Sequence, residues 1–151
     1  MDALPVLIYR KALHIATIFD TIKLRALLNK HGWSNTWKAG IFCYHHYHSN
    51  THELVACCKG ETTLLLGGDD GLTVNFGKGD VIIIPAGVAH KNLNNENDVV
   101  CIGAYPGGKD YDMNFDRPGE RPKADKNIKK VGVPPEDPLT GTTGNLQALW
   151  K

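Results

Sequence analysis

The stretch GIFCYHHYHSNTHELVACCKG, residues 40–60, decides the fold of this chain. It is rich in β-branched and aromatic residues, which favour strands. His46 and His48 are two residues apart, so on a strand their side chains point to the same face. Glu53 follows at the start of the next predicted strand. Imidazoles and a carboxylate on one face are typical ligands of a transition metal.

A second stretch, GDVIIIPAGVAHKNLN, residues 79–94, adds a third histidine, His90, just beyond a Pro-Ala-Gly turn. An isolated histidine is more often a surface or hydrogen-bonded residue, so the metal hypothesis depends on all the ligands together. If the strands are neighbours, the sequence predicts one divalent transition metal, Fe, Mn, Ni, Zn or Cu, on His46, His48, Glu53 and His90. Four such ligands on an octahedral ion leave two positions for substrate or water.

The spacing of both stretches resembles the two motifs of the cupin superfamily. The first, G-x5-H-x-H-x4-E-x6-G, is matched by Gly40, His46, His48, Glu53 and Gly60. The second, G-x5-P-x-G-x2-H-x3-N, is matched by Gly79, Pro85, Gly87, His90 and Asn94. From Leu4 to Trp150, stretches such as LPVLIYR, GAYPGGKDYD and LQALW also resemble the YjlB-like cupins. The resemblance implies a cytoplasmic, metal-binding cupin, often dimeric, and it implies no substrate.

The chain as a whole predicts one all-β domain, a cupin jelly-roll β-barrel with one short N-terminal helix and an irregular C-terminal segment. We expect residues 1–39 to pack on the barrel, 40–105 to form the metal-binding core and 106–151 to wrap over it. The predicted elements are an edge strand at 4–9, a helix at about 17–30 ended by Gly32, and strands at 41–48, 53–59, 62–66, 72–76, 81–84, 90–94 and 99–105. Apolar residues near the C-terminus argue against a disordered tail, namely Tyr111, Phe115, Leu146, Leu149 and Trp150.

Composition excludes several classes of partner. With 17 Lys plus Arg against 16 Asp plus Glu, the net charge is +1, and no basic patch predicts a nucleic-acid partner. No apolar run is long enough to predict a membrane span, and residues 1–10 do not resemble a secretory signal.

The four cysteines lack zinc-finger spacing and are predicted to be reduced thiols of a cytoplasmic protein. The apolar edge strand at 4–9 predicts a homodimer.

The predicted function is that of a dioxygenase-like, metal-dependent oxidoreductase acting on a small organic molecule, with Phe42, Tyr44 and Asn92 lining its pocket. Two alternatives remain open from sequence: a metal-dependent isomerase or lyase on a sugar-like substrate, and a non-catalytic small-molecule binding protein. An isomerase needs a general base near the metal, and strand parity places no second carboxylate there. Catalytic residues beyond the metal ligands are not assigned.

Overall fold

The computed structural model describes residues 4–151, which form seven β-strands, three α-helices and a 3-10 turn. In chain order these are β1 (Leu7–Tyr9), α1 (Ile18–Lys30), β2 (Trp33–Ala39), β3 (Glu53–Leu66), β4 (Leu72–Gly77), β5 (Val81–Ile84), β6 (His90–Asn92), the 3-10 turn (Glu96–Asp98), β7 (Val99–Pro106), α2 (Lys123–Lys130) and α3 (Asn145–Leu149). The strand pairs are antiparallel. No helix in the described range is long and apolar enough to cross a membrane.

The long strand β3 organises the sheet because two groups of strands pair with its two halves. Its first half lies in the path β1-β5-β3-β7-β2, whereas β4 and β6 pair with its second half. The chain turns between the halves at Gly60, whose φ is +81°. A Cβ at Gly60 would lie 1.9 Å from the carbonyl oxygen of Asp98, so only glycine fits this position. The strands predicted at 53–59 and 62–66 are therefore one bent strand.

Alternation along β3 separates two hydrophobic clusters. Leu54 and Ala56 belong to the cluster that contains Leu24 and Leu28 of α1, whereas Val55 and Cys57 belong to the other cluster. This is the two-residue period of a strand covered on both faces. Glu53 has the same parity as Val55, so its carboxylate points to the second cluster rather than toward α1. The alternation of side chains along β3 thus sets the direction in which the Glu53 side chain points.

The helix and several strands confirm the sequence predictions, and two regions differ. Helix α1 begins after Thr17, whose N–H donates to the Asp20 carboxylate at 2.9 Å, and it ends before Gly32, at φ +82°. Strand β2 was missed because polar residues interrupt it, among them Asn35 at φ +58°. The segment after Tyr105, predicted to be irregular, includes α2 and α3.

The prediction of a strand over residues 41–48 is wrong. His46 and Tyr47 each form only an isolated bridge, with His90 and Asn114 respectively. The partners available are the three-residue β6 and an irregular segment, and neither offers a continuous row of backbone groups. His46 and His48 nevertheless both line the same cavity, as a shared strand face had predicted.

The end of the chain packs into the cluster under α1. Leu146 and Trp150 are buried there, whereas Leu149 is exposed. The Trp150 indole N–H donates to the Pro5 carbonyl at 2.8 Å, which ties the two ends of the described chain together. The apolar residues that argued against a disordered tail are thus divided between core and surface, since Tyr111 is also exposed.

Candidate metal centre

The structure brings together one carboxylate and two imidazoles. Ligand atoms of His48, Glu53 and His90 all lie within 4.8 Å of one another, and the three side chains are buried. Glu53 Oε1 is 3.3 Å from His48 Nε2 and 3.1 Å from His90 Nε2. Glu53 is the first residue of β3, whereas His90, the first residue of β6, pairs with Leu66 at the other end of β3. The group therefore forms between the two halves of the bent strand and not between residues that pair directly.

The hydrogen bonds of the histidines leave their Nε2 atoms free to bind a metal. Nδ1 of His46, His48 and His90 lies 3.1, 2.6 and 3.2 Å from the carbonyl oxygens of Tyr44, Asp112 and Val88. A carbonyl can only accept a hydrogen bond, so each neutral ring carries its proton on Nδ1 and a lone pair on Nε2. Backbone carbonyls commonly orient metal-binding histidines in this way.

The Nε2 atoms of His48 and His90 are buried and have no hydrogen-bond partner. Their distances to Glu53 are those of an ion pair, but the alignment is not that of a hydrogen bond. A buried polar atom without a partner is costly, and two such atoms facing one carboxylate suit a shared cation. The donor set therefore fits a divalent transition metal.

His46 lies beside this group but not within it. Its ring centroid is 4.0 Å from that of His90 and 6.1 Å from that of His48, and the ring is buried. The cluster of ligand atoms within 4.8 Å comprises His48, Glu53 and His90 alone among the described residues. The fourth ligand predicted from the sequence, His46, thus stays a prediction.

Burial and neighbouring charges shift the acid–base equilibria of the group. Burial, together with the adjacent His90, lowers the pKa of His46 to about 4, so this ring is neutral at neutral pH. Burial would raise the pKa of Glu53, but its close contacts with His48 and His90, when these rings carry a proton on Nε2, outweigh burial and lower that pKa. Glu53 is therefore ionised, as a metal-binding carboxylate must be.

Tyr105, which was not among the predicted site residues, holds the second oxygen of Glu53. The Tyr105 hydroxyl donates to Glu53 Oε2 at 2.9 Å and accepts from the Trp37 indole N–H at 2.8 Å. The Trp37 ring lies against Gly103, where a Cβ would be 2.0 Å from the indole. Burial and the Glu53 charge raise the pKa of Tyr105, which keeps the hydroxyl protonated as a donor. In the sequence, Tyr105 is the last residue of the strand predicted at 99–105.

The other two histidines near the first motif lie outside the group. His45 Nε2 is 2.7 Å from Asp69 Oδ1, on the outer side. His52 is buried under Trp150, accepts a hydrogen bond from the Ala86 N–H at 3.0 Å and lies 2.9 Å from the Gly132 carbonyl. The four histidines between residues 45 and 52 are therefore divided between the site and its surroundings.

A cavity of about 210 Å³ opens beside the candidate ligands. Its walls are mostly apolar and aromatic, and the lining residues are Trp37, Ala39, Gly40, Ile41, Phe42, His46, His48, Glu53, Val55, Leu64, Ile82, Ile84, His90, Glu96, Tyr105, Tyr111 and Met113. Phe42 is thus part of the lining. Tyr44 is outside it, half-exposed, and stacks on Phe42 with ring centroids 4.9 Å apart. Asn92 is also outside it, buried, and accepts from the Thr62 hydroxyl at 2.6 Å.

Comparisons with known proteins agree with this arrangement of motifs. Residues 33–102 match the family model described as a cupin domain. The chain is 42% identical over 146 residues to the uncharacterized protein YjlB of Bacillus subtilis (strain 168), covering 97% of this chain and 86% of that protein. The chain therefore belongs to the cupin family. Within that family it is similar, over nearly its whole length, to YjlB.

Solved structures are more distant matches. Acireductone dioxygenase from Bacillus anthracis, with a cadmium ion in its active centre, matches with a TM-score of 0.45 and 16% identity over 66% of this chain and 77% of that chain. A mutant of Bacillus subtilis oxalate decarboxylase matches with a TM-score of 0.40 and 26% identity over 53% of this chain and 22% of that chain.

Proposed function

We propose that this cupin is a metal-dependent oxidoreductase, dioxygenase-like, that acts on a small organic molecule. In this proposal one divalent transition metal is held by His46, His48, Glu53 and His90. The observation that carries it is the pair of buried Nε2 atoms of His48 and His90, without hydrogen-bond partners, beside the Glu53 carboxylate at a cavity. This nitrogen and oxygen donor set suits Fe, Mn, Ni, Zn or Cu.

Such an ion, when bound, polarises the oxygen atoms of a substrate and, if redox-active, supplies one-electron chemistry. The protein contributes orientation and exclusion of water. Backbone carbonyls hold the three imidazoles, and Tyr105 holds Glu53, so the donors are arranged before anything binds. The aliphatic side chains of Val55, Leu64 and Ile82 and the Phe42 ring exclude water from the space where a substrate would lie.

The lining favours this function over an isomerase or lyase acting on a sugar-like molecule. Those reactions need a general base other than a metal ligand. Glu96 is the lining carboxylate besides Glu53, and it is exposed. A polyol would also need many hydrogen-bonding groups, whereas the walls are mainly apolar.

We also infer three properties of the whole protein. The two groups of strands that share β3 close into the cupin jelly-roll barrel around the cavity, which is lined by residues of β2, β3, β5, β6 and β7. The protein is cytoplasmic, which the four free thiols support.

The protein forms a homodimer through β1, which lies at the end of the strand path. Light scattering that gives a monomer at micromolar concentration would contradict this.

The test of the proposed activity is oxygen uptake by the metal-loaded protein. The apo-protein is loaded anaerobically with Fe(II), and small enols, thiols and hydroxy acids are screened. We expect oxygen consumption that depends on one of these substrates and that the His48→Ala variant loses. Turnover that is equally fast without oxygen would replace this proposal by the isomerase or lyase. Thermal stabilisation by a ligand without turnover would replace it by the binding protein.

A further inference from the structure

The size of the cavity limits what fits beside the candidate ligands. An engineered protein cavity of about 150 Å³ holds one benzene molecule, and this cavity measures about 210 Å³. It therefore has room for one ring and a small polar head. Val55, Leu64 and Ile82 line the cavity and belong to one buried hydrophobic cluster. We call this buried apolar part of the lining the floor. That floor is suited to an apolar group.

The charges around the cavity limit the charge of the ligand. No lysine or arginine is among the described residues that line it. The lining carboxylates are Glu53 and Glu96, and Glu96 is exposed at the mouth. A bound divalent ion together with ionised Glu53 would carry a net charge of +1. One further negative charge would be compensated, whereas a second would lie in an apolar cavity near a carboxylate.

The polar groups of the wall are mostly committed already. The Tyr105 hydroxyl is bonded to Glu53 and to Trp37. Nδ1 of each of the three histidines faces a backbone carbonyl. A ligand with several hydroxyl groups would therefore lose hydrogen bonds to water without gaining replacements from these residues.

We propose that the site binds a neutral or singly charged oxygen chelator that carries one ring-sized apolar group, and that it discriminates against dicarboxylates and sugar phosphates. This rests on the proposed metal site and names its substrate class. The oxygen atoms lie toward the histidines and Glu53, and the ring lies on the floor formed by Val55, Leu64 and Ile82.

The experiment measures binding to the Zn(II)-loaded protein by calorimetry, after zinc content has been measured. The probes are benzohydroxamate and acetohydroxamate, which share a singly charged chelating head but differ in the ring, and malonate, a doubly charged chelator. We expect benzohydroxamate to bind at least about tenfold tighter than acetohydroxamate, because the phenyl group is buried on the floor. We expect malonate to bind at least about tenfold more weakly than acetohydroxamate.

Two variants locate these preferences in the cavity. Val55→Phe fills the floor and should abolish the advantage of benzohydroxamate while acetohydroxamate still binds. Glu96→Lys should strengthen malonate binding at least about threefold, because it replaces the negative charge at the mouth by a positive one. Glu61→Lys is the matched control, since this exposed residue makes the same charge change outside the cavity lining. Both glutamates are exposed, so these variants test the charge preference even if Val55→Phe fails to fold.

The outcomes separate this inference from the proposed function. A protein that holds zinc but binds malonate as tightly as the hydroxamates, or binds the two hydroxamates equally, overturns the inference and leaves the metal site in place. Equal effects of Glu96→Lys and Glu61→Lys would show that net charge, not the cavity mouth, sets the preference, and would overturn it too. A protein that takes up no zinc overturns the proposed function and this inference with it.

Discussion

At the scale of single residues, the candidate metal centre depends on where each proton lies. His48 Nδ1 faces the Asp112 carbonyl and His90 Nδ1 faces the Val88 carbonyl, so both rings present a lone pair on Nε2. Glu53 remains ionised because the two imidazoles outweigh its burial. A metal would therefore leave the Nδ1 protons in place and displace any proton held on Nε2 beside Glu53.

Replacing His48 by alanine should remove most of the bound metal and leave the protein folded. The change deletes a ligand atom from the buried group without altering a strand, because His48 lies in the loop before β3. Elemental analysis measures the metal and circular dichroism the fold. His45→Ala is the matched control, since its ring faces Asp69 instead of the cavity. Full metal occupancy in His48→Ala would refute the assignment.

Replacing Tyr105 by phenylalanine should weaken metal binding by about tenfold, the lower end of the range for groups that orient metal ligands. The hydroxyl it removes is the donor to Glu53 Oε2, so the carboxylate would lose its orientation. A competition titration with a metal-binding dye measures the change. Tyr111→Phe, which removes a hydroxyl from the ring stacked on Tyr105, should change affinity much less. Equal affinities of Tyr105→Phe and the wild type would contradict this role.

At the scale of elements, the turns bring the strand ends to the site. Gly60 lets β3 bend past Asp98, and the bend allows one strand to pair with β5 and β7 at its start and with β4 and β6 at its end. Asp80, in the turn between β4 and β5, accepts hydrogen bonds from the N–H groups of Lys11 at 2.9 Å and Gly77 at 3.0 Å. The turn and the chain after β1 are thereby joined.

Asp80 should stabilise the fold in a pH-dependent way. Burial would raise the pKa of Asp80, but the N–H groups of Lys11 and Gly77 and the Arg10 guanidinium outweigh it and lower that pKa. Because the folded pKa lies below the unfolded value of about 3.9, the stabilisation is present above about pH 4 and is lost as the pH falls through the folded pKa.

Asp80→Asn should therefore lower the free energy of unfolding by about 1–3 kcal/mol at pH 7, and by less at pH 3. Urea denaturation at both pH values measures the difference. Asp70→Asn, at an exposed position of the preceding turn, should change it little. A loss of stability that is the same at pH 3 and pH 7 would show that the carboxylate charge is not responsible.

At the scale of the whole molecule, the last residues close the cluster under α1. Trp150 is 2% exposed, packs against His52 at 4.6 Å between ring centroids and bonds to the Pro5 carbonyl. His52 is next to Glu53 and supports the turn before His90 through Ala86. The C-terminus therefore stabilises the elements on which the candidate site is built.

Trp150→Ala should lower the free energy of unfolding by about 3–5 kcal/mol, since it removes a large buried side chain and its hydrogen bond. Urea denaturation measures this loss. Leu149→Ala, one residue earlier and 55% exposed, is the control and should cost less than about 1 kcal/mol. Similar losses in the two variants would contradict the packing of the C-terminus in the core.

The sequence by itself determined which residues could form the site and what kind of strands carry them. The spacing of two motifs identified the candidate ligands, and apolar runs with turn residues between them located β4, β5 and β7 to within about two residues. The helical spacing of apolar residues located α1. The predictions of these strands and of the helix succeeded because local hydrogen bonding and alternating burial leave a pattern in neighbouring residues.

Only the tertiary structure decided which groups meet. Glu53 and Tyr105 are distant in sequence, and they meet because β3 pairs with β7. Residues 41–48 lack a continuous partner strand and form only isolated bridges, so their sequence pattern alone predicted a strand that is not present. His48 and His90 share one carboxylate while His46 lies beside them, a difference of a few ångströms set by packing. The physical reason is the same throughout: contacts between distant segments depend on strand pairing and burial, which no single stretch of sequence contains.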